Sequence, residues 1–214
     1  NVVDKKHANV EIKNVGIANN IYKTKQWNQM IEKASGNFIV LMDVRCVPLN
    51  KEWIEEMLML CQKDDVCVVG PKIIYRDQTV AYAGGALWKK GKLKVRLIGM
   101  HDTVSDMGYE AILCHVRNTS FALASCMMFS KKMWYALGTF EESGSGYEDV
   151  EFCLKGVENG KNNVWTCFAI LQFAGENIFP MISAEKVREF ETKYEKYFEK
   201  ERYFHPKWDE LGLV

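Results

Sequence analysis

The sequence predicts an α/β fold in which helices flank a mixed β-sheet. Helix and strand patterns alternate along residues 1–70, where two runs, 38–42 and 66–70, are apolar on both faces. Such runs are typical of strands inside a sheet. After residue 71, short apolar runs are separated by turns that contain Gly and Asp, which indicates antiparallel strands. The chain has 214 residues, the size of one large domain.

The elements of the first half follow from hydrophobic spacing. Residues 10–12 are predicted to form a short strand, and residues 24–35 a helix whose apolar side chains recur at i, i+3, i+4 and i+7. Residues 38–42 are predicted to form the central strand of the sheet. A helix over residues 51–61 and a buried strand over residues 66–70 follow.

The second half is predicted to begin with short antiparallel strands, and its last helix is long. In order, we expect strands over 71–75, 83–88 and 92–95, a loop over 99–118, a strand over 122–129, a short helix capped by Ser130 and ending before Gly138, a helix over 149–158, a strand over 164–171 and a helix over 183–203.

Composition and charge exclude several functions. The 28 Lys and Arg residues balance 28 Asp and Glu residues, so the chain lacks the basic excess of a nucleic-acid-binding protein. The apolar run 38–42, which no uninterrupted apolar run exceeds in length, is too short to span a bilayer, and the sequence opens with no secretory signal pattern. We therefore expect neither a nucleic-acid partner nor a transmembrane segment.

The cysteines indicate the compartment. There are seven, none spaced C-x-x-C, and most have apolar neighbours, which favours buried reduced thiols. Reduced thiols predict a cytoplasmic location. The positions are Cys46, Cys61, Cys67, Cys114, Cys126, Cys153 and Cys167.

The motif GSGYEDVEFC, residues 144–153, places two adjacent carboxylates, Glu148 and Asp149, at the start of a predicted helix. The N-terminal end of a helix carries partial positive charge and free N–H groups, so it stabilises an anion. An acid in the first turn of a helix is also a common structural feature. Both interpretations stay open on these residues alone.

A second acid, Asp43, follows the apolar run 38–42 directly. Open α/β sheets bind their ligands at the carboxyl ends of strands. Asp43 is therefore a candidate ligand-binding residue, although an Asp that ends a strand can also simply begin a turn.

These two motifs, in this order and spacing, resemble the family 2 glycosyltransferases of the GT-A fold. The similar segments are Asn28 with 34–43, Pro48 with Trp53-Ile54, 69–75, Gly84-Gly85, 124–129 with 137–142, 147–153 and 203–208. The resemblance implies a GT-A-like (nucleotide-diphospho-sugar transferase) fold over one domain, 1–214. Residues 1–70 would be a residual nucleotide-binding half, 71–180 the acceptor-side half, and 181–214 a C-terminal helix and tail.

The resemblance also implies an inverting sugar transfer and the residues of its acceptor side. Asp149 would be the general base that takes the proton of the acceptor hydroxyl, while Glu148 and Tyr147 would bind the acceptor. The acceptor would be a glycan, a lipid-linked molecule or a protein. Other domains of a longer chain are further expected partners.

On the donor side, the resemblance implies that a nucleotide-sugar is bound by Asp4, Asn28, Asp43 and Arg45. Arg45 departs from the family pattern, since it replaces the second acid of D-x-D, which normally binds a divalent metal. A guanidinium has no lone pair for a metal but can form two hydrogen bonds to a phosphate. We therefore predict no metal-ligating residues, and binding of Mg²⁺ or Mn²⁺ by this incomplete motif is left open.

Two further departures leave an alternative function open. The family's later His is absent near residues 171–173, and its first strand and following helix are missing from the sequence. The missing first strand and Arg45 favour a non-catalytic glycosyltransferase-like module in a larger protein, whereas the intact Glu148-Asp149 pair favours the enzyme. A basic cluster over residues 89–96 is either a solvated hairpin or a contact for an anionic acceptor.

Overall fold

The computed structural model describes residues 23–90, 92–179, 181–198 and 203. The predicted strand over 10–12, the position of Asp4 and the predicted tail after residue 203 lie outside these residues. The helices are α1 (Lys23–Lys33), α2 (Trp53–Cys61), α3 (Lys131–Leu137), α4 (Glu148–Glu158), α5 (Ala184–Lys193) and α6 (Glu195–Phe198). The strands are β1 (Phe38–Met42), β2 (Cys46–Pro48), β3 (Val66–Tyr75), β4 (Val80–Tyr82), β5 (Gly85–Lys90), β6 (Lys92–Leu97), β7 (Arg117–Thr119), β8 (Cys126–Ser130) and β9 (Asn162–Phe173).

One mixed sheet organises these elements, as predicted. Its strand order is β1-β8-β3-β9-β2, with β4 joined to β3 and β7 joined to β9. Strands β3 and β9 are parallel, whereas β8 runs antiparallel to both β1 and β3. Strands β5 and β6 form a separate two-stranded hairpin.

The core lies around β3, whose ten residues are all buried. Helices α2 and α4 both contact β3 and β9. The approach of α4 is very close, because a Cβ on Gly156 would lie 2.5 Å from the Sγ atom of Cys67. A parallel strand covered by helices must be apolar on both faces, which explains the pattern of residues 66–70.

The prediction of a central strand over residues 38–42 is wrong for the part of the chain that the structure describes. There β1 lies at one end of the sheet and pairs antiparallel with β8. Phe38 and Met42 at its two ends are 37% and 41% exposed. An apolar run predicts that a strand is buried, but it does not predict which strands pair with it.

Three further predictions placed the boundaries of elements incorrectly. Residues 71–75 continue β3 instead of forming a new strand, and the pairing register with β9 shifts between Pro71 and Lys72. Proline has no backbone N–H group, so it is tolerated where the regular hydrogen bonds between strands are interrupted. The helix predicted over 183–203 ends at Lys193, and the short α6 follows Tyr194. The loop predicted over 99–118 includes the start of β7.

The predictions for the cap of α3 and for the cysteines are confirmed. The Ser130 hydroxyl caps α3 by accepting a hydrogen bond from the N–H group of Met133 at 3.0 Å, and the helix ends at Gly138. All seven cysteines are free, and five are buried, while Cys167 is half-buried and Cys114 exposed. No helix among the described residues has the length and apolar character needed to cross a membrane.

Candidate active site

Asp43 and Asp149 are each hydrogen-bonded to the backbone of one of two consecutive residues, Ser125 and Ala124. The Asp149 carboxylate accepts a hydrogen bond from the N–H group of Ala124 at 2.7 Å. The N–H group of Asp43 donates to the carbonyl of Ser125 at 2.9 Å. Adjacent Cα atoms lie only about 3.8 Å apart. The segment leading into β8 therefore places both acids at the same end of the paired strands β1 and β8.

Asp149 lies in the first turn of α4 and is half-buried. One oxygen, Oδ2, accepts from Ala124 at 2.7 Å, and the other, Oδ1, accepts from the N–H group of Val150 at 2.9 Å. These contacts fix the orientation of the carboxylate. A carboxylate oxygen has two lone pairs, so it can accept from a hydroxyl as well as from a backbone N–H group.

The neighbours of Asp149 in the motif are more buried than their predicted acceptor-binding role suggests. Glu148 is 8% exposed, and its Oε1 atom accepts from the N–H group of Gly146 at 3.2 Å. Tyr147 is 6% exposed and stacks on Phe190 of α5, with ring centroids 4.4 Å apart. Burial raises the pKa of Tyr147 to about 12, and the negative charges of nearby acids add to this effect. Acceptor binding by both residues remains a prediction.

The glycines before the motif form a loop that the segment around α5 holds in place. Gly144 and Gly146 have φ values of +62° and +84°, which favour glycine because other residues are strained there. Lys186 donates a hydrogen bond to the carbonyl of Gly144. Ile182 packs so closely that a Cβ on Gly146 would lie 3.0 Å from its side chain.

Glu151 is a buried carboxylate that the sequence analysis did not single out. It is 2% exposed and forms an ion pair with Lys193 of α5 at 3.4 Å. Burial raises the pKa of Glu151, and Lys193 partly offsets that effect. Lys193 also pairs with Glu141 at 2.5 Å. Glu148 and Glu151 are three residues apart in the sequence, which places them on the same face of α4. This spacing could have identified Glu151 from the sequence.

Arg45 and Asp43 form a two-point ion pair. Arg45 Nη2 donates to Asp43 Oδ2 at 2.8 Å, and Nε donates to Oδ1 at 3.0 Å. The guanidinium also lies over the ring of Phe173, 4.6 Å from its centroid. The hydrogen bonds that Arg45 donates to Asp43 raise the pKa of Arg45 above its ordinary value. The Arg45 side chain remains 52% exposed, so it is both oriented and accessible.

These residues do not fit a divalent cation. Arg45 occupies both carboxylate oxygens of Asp43 and brings its own positive charge to the place where a second acid would bind a metal. The aromatic ring of Phe173 lies against the same guanidinium. Within residues 23–90, 92–179, 181–198 and 203, no group of three or more His, Cys, Asp or Glu side chains could hold a metal ion.

Asn28 makes structural contacts. It is 9% exposed, its Nδ2 atom donates to the carbonyl of Phe140 at 2.9 Å, and its Oδ1 atom accepts from the N–H group of Phe140 at 3.0 Å. Both ends of the amide therefore hold the chain that leads to the acid motif. Donor binding by Asn28 remains a prediction that these hydrogen bonds do not support.

The fold is that of known glycosyltransferases. GalNAc-T7, solved with UDP, GalNAc and Mn²⁺, superimposes with a TM-score of 0.56 at 13% identity, covering 82% of this chain and 36% of that chain. The mannosyltransferase PcManGT from Pyrobaculum calidifontis, in complex with GDP-Man and Mn²⁺, gives a TM-score of 0.49 at 13% identity, covering 73% of this chain and 37% of that one. The chain has a GT-A-like fold, as the sequence resemblance predicted.

Sequence comparison adds one uncharacterized relative. The protein y4gI of Sinorhizobium fredii (strain NBRC 101917 / NGR234) is 29% identical over 149 residues, which cover 67% of this chain. The chain spans 16% of the length of that protein. No family model matches the sequence.

Proposed function

We propose that this chain is an inverting glycosyltransferase domain that moves a sugar from a nucleotide-sugar donor to an acceptor hydroxyl. The observation that carries the proposal is the attachment of Asp149 and Asp43 to the consecutive residues Ala124 and Ser125. That attachment sets a candidate general base beside a candidate donor site. The GT-A-like fold supports this assignment.

In the proposed reaction, Asp149 acts as the general base. The acceptor hydroxyl loses its proton to the Asp149 carboxylate as its oxygen attacks the anomeric carbon. The bond from that carbon to the diphosphate oxygen breaks, and the nucleoside diphosphate leaves with the electron pair. A single displacement inverts the anomeric configuration. The contacts of Asp149 with Ala124 and Val150 support this role because they orient the base before the acceptor binds.

On the donor side, we propose that Arg45 contacts the diphosphate, so that no metal ion is required. A guanidinium presents paired N–H groups that match phosphate oxygens. Asp43 and Phe173 hold the Arg45 group in one orientation while half of its side chain is exposed. A fixed cation stabilises developing negative charge without reorganising during the reaction. The roles assigned to Asn28 and Asp4 in donor binding complete this part of the proposal.

The acceptor is proposed to bind to the second half of the fold. Residues 71–180 would receive a glycan, a lipid-linked molecule or a protein, with Glu148 and Tyr147 near the acceptor hydroxyl. The greater length of the relative y4gI supports further domains as partners. The free thiols favour a cytoplasmic location.

The Asp43–Arg45 ion pair also favours a second candidate function, that of a non-catalytic module. Both oxygens of Asp43 already accept hydrogen bonds from Arg45, whose positive charge disfavours a metal ion beside them. A module of this kind would bind a saccharide or another domain and would not turn over a donor.

A donor assay separates the two candidates. The chain is incubated with a panel of UDP- and GDP-sugars and candidate acceptors, and release of the nucleoside diphosphate is measured. We expect release that depends on both donor and acceptor, with a product whose anomeric configuration, determined by proton NMR, is inverted. Asp149→Asn is the control for background hydrolysis. A product of retained configuration would contradict the proposed mechanism, and saccharide binding without turnover would favour the module.

A further inference from the structure

Arg117 is a partly buried cation at the start of β7, in the half of the fold where the acceptor is proposed to bind. Its Nε atom donates to the carbonyl of Ile112 at 3.2 Å, and Nη2 donates to the carbonyl of Ala83. The guanidinium lies over the buried ring of Trp165, 4.9 Å from its centroid. Trp165 is fixed in turn, because its indole nitrogen donates to the carbonyl of Pro71 at 3.1 Å.

No carboxylate among the described residues forms an ion pair with Arg117, and its Nη1 atom has no hydrogen-bond partner there. Burial lowers the pKa of Arg117 to about 10, while the nearby Tyr82 raises it slightly. Holding an uncompensated charge away from water is costly unless another group pairs with it. The backbone carbonyls satisfy two donors and leave the net charge unmatched.

The Gly84-Gly85 pair, which the sequence resemblance singled out, makes room for this cation. Gly84 has a φ value of +94°, and a Cβ there would lie 2.9 Å from Arg117 Nη2 and 3.0 Å from the Thr119 hydroxyl. A Cβ on Gly85 would lie 2.1 Å from the ring of Phe121. Any larger side chain at position 84 would therefore displace the guanidinium or strain the backbone.

The same part of the chain leads from Arg117 to the candidate base. Arg117 and Ala124 are seven residues apart, which limits their separation to about 25 Å even in an extended chain. Between them, the hydroxyl of the fully buried Tyr82 donates to the carbonyl of Phe121 at 2.9 Å. The charges of Arg117 and Asp149 both act on Tyr82, with opposite effects on its pKa. Arg117 and Asp149 therefore both lie near the Tyr82 side chain.

We propose that Arg117 binds an oxyanion, a carboxylate or phosphate group, carried by the acceptor. This inference rests on the proposed function for its placement on the acceptor side. The unpartnered Nη1 atom supplies N–H donors, and the absence of an acid leaves the charge available to a ligand. Trp165 keeps the plane of the guanidinium fixed, so the site discriminates by charge and by direction.

Anion binding can be tested without any reaction. Glucuronate and glucose 6-phosphate are titrated into the Arg45→Ala variant, which removes the donor-side cation, and glucose serves as the neutral probe. Calorimetry should show binding of at least one anionic sugar at least tenfold tighter than that of glucose. Arg117→Gln in the same background should lose that difference, whereas Arg188→Gln, which changes an exposed arginine of α5, should keep it.

A second measurement guards against misfolding of the Arg117→Gln variant. In the unsubstituted chain, the ¹⁵N signals of the Arg117 side chain should shift with the bound anionic sugar and remain unchanged with glucose. Equal affinity for all three sugars, or anion binding that survives Arg117→Gln, would overturn the inference. If the rate of sugar transfer is the same in the Arg117→Gln variant, the inference about Arg117 is wrong while the proposed function stands. If anions bind in an Arg117-dependent manner but the chain turns over no donor, the proposed function is wrong while the inference stands.

Discussion

Asp149 is bound through its Oδ2 atom to the backbone N–H group of Ala124 at 2.7 Å. The position of the candidate base therefore depends on the segment before β8 as well as on its own helix. Asp43 is bound to the next residue of that segment, Ser125, at 2.9 Å. Because the two acids share one support, a displacement of this segment would move the base and the donor site together.

Asp149→Asn is expected to reduce the rate of sugar transfer while leaving the fold intact. The amide is nearly isosteric, and its oxygen can still accept from Ala124 while the N–H group of Val150 loses its side-chain acceptor, but the amide cannot take a proton. General-base catalysis typically contributes about 10²–10⁴-fold, so kcat should fall by that factor. Thermal unfolding should show a native-like transition. Turnover close to that of the unsubstituted chain would remove Asp149 from the base role.

Glu148→Gln is the matched comparison, because the residue lies in the same helical turn and undergoes the same chemical change. If Glu148 binds the acceptor, the variant should raise the acceptor KM and keep kcat within about tenfold of that of the unsubstituted chain. The reason is that the lost contact stabilises the bound acceptor and the transition state equally, while the base remains. A fall in kcat as large as that of Asp149→Asn would contradict this division of roles.

Asn28→Ala is expected to destabilise the fold. It removes both partners of the Phe140 backbone and leaves a buried N–H and carbonyl group unsatisfied. Such a loss costs about 1–3 kcal/mol, so we expect the free energy of unfolding to fall by about 2 kcal/mol and the Tm by about 4–8 °C.

Asn50→Ala is the matched control for Asn28→Ala. Asn50 makes the same two-point contact, with the carbonyl of Phe168 at 3.0 Å and the N–H group of Ile170 at 2.8 Å, but at a more exposed place. Water can replace its contacts, so the loss should be smaller in thermal unfolding. A weakened affinity of Asn28→Ala for a nucleoside diphosphate, with stability unchanged, would instead support donor binding.

Gly85→Ala is expected to overpack the core beside the Arg117 site. The added Cβ would lie 2.1 Å from the ring of Phe121, which is fully buried and cannot move aside. Overpacking typically costs about 1–3 kcal/mol, and we expect a loss near or above the upper value in chemical denaturation. Gly36→Ala is the control, since its nearest neighbour would be 3.3 Å away. Equal stability of the two variants would show that the close approach is absent in solution.

The sequence predicted those parts of the molecule that depend on local chemistry. The cap at Ser130 and the acids at the start of α4 follow from preferences of a single helical turn, which neighbours in space do not alter. Both apolar runs form strands, and the run over 66–70 is fully buried, whereas only Ile39 of β1 is buried.

Pairings between distant residues could not be predicted in the same way. The place of β1 in the sheet and the continuity of β3 through Pro71 depend on β8 and β9, which lie far along the chain. Arg117 was missed because a single basic residue in a predicted loop has no periodic pattern. The Gly84-Gly85 pair was its available signal, since adjacent glycines indicate a close approach.

Glu141→Gln is expected to weaken the attachment of α5 in a pH-dependent manner. The hydrogen bond from Lys193 holds the pKa of Glu141 below its ordinary value of 4.5. A carboxylate with a lowered pKa stabilises the fold above the unfolded pKa, and this contribution is lost as the pH falls through the folded pKa. The Tm difference between the variant and the unsubstituted chain should be up to about 4 °C at pH 7 and should shrink below about pH 4.5.

Glu142→Gln controls for the change in net charge, because Glu142 is adjacent and exposed. Its effect on the Tm should be small at both pH values. A Tm difference for Glu141→Gln that grows on acidification would contradict the expected loss of this stabilisation at low pH.

The guanidinium of Arg45 is expected to make donor binding independent of a metal ion. It is held by Asp43 at 2.8 Å and by Phe173, and it is oriented before any ligand arrives. Calorimetry should therefore show that a nucleoside diphosphate binds with the same affinity in EDTA as in Mn²⁺. Arg45→Ala should weaken binding at least tenfold, since hydrogen bonds to charged groups contribute about 1.5–3 kcal/mol.

Arg45→Lys separates the charge of Arg45 from its geometry. Lysine keeps the positive charge but loses the paired N–H groups, so we expect an affinity between those of the unsubstituted chain and Arg45→Ala. Binding that requires Mn²⁺ and is unaffected by Arg45→Ala would refute the substitution of the ion by Arg45. Binding in neither condition, in a chain that unfolds cooperatively, would favour the non-catalytic module, because the Asp43–Arg45 pair would then be a closed structural contact.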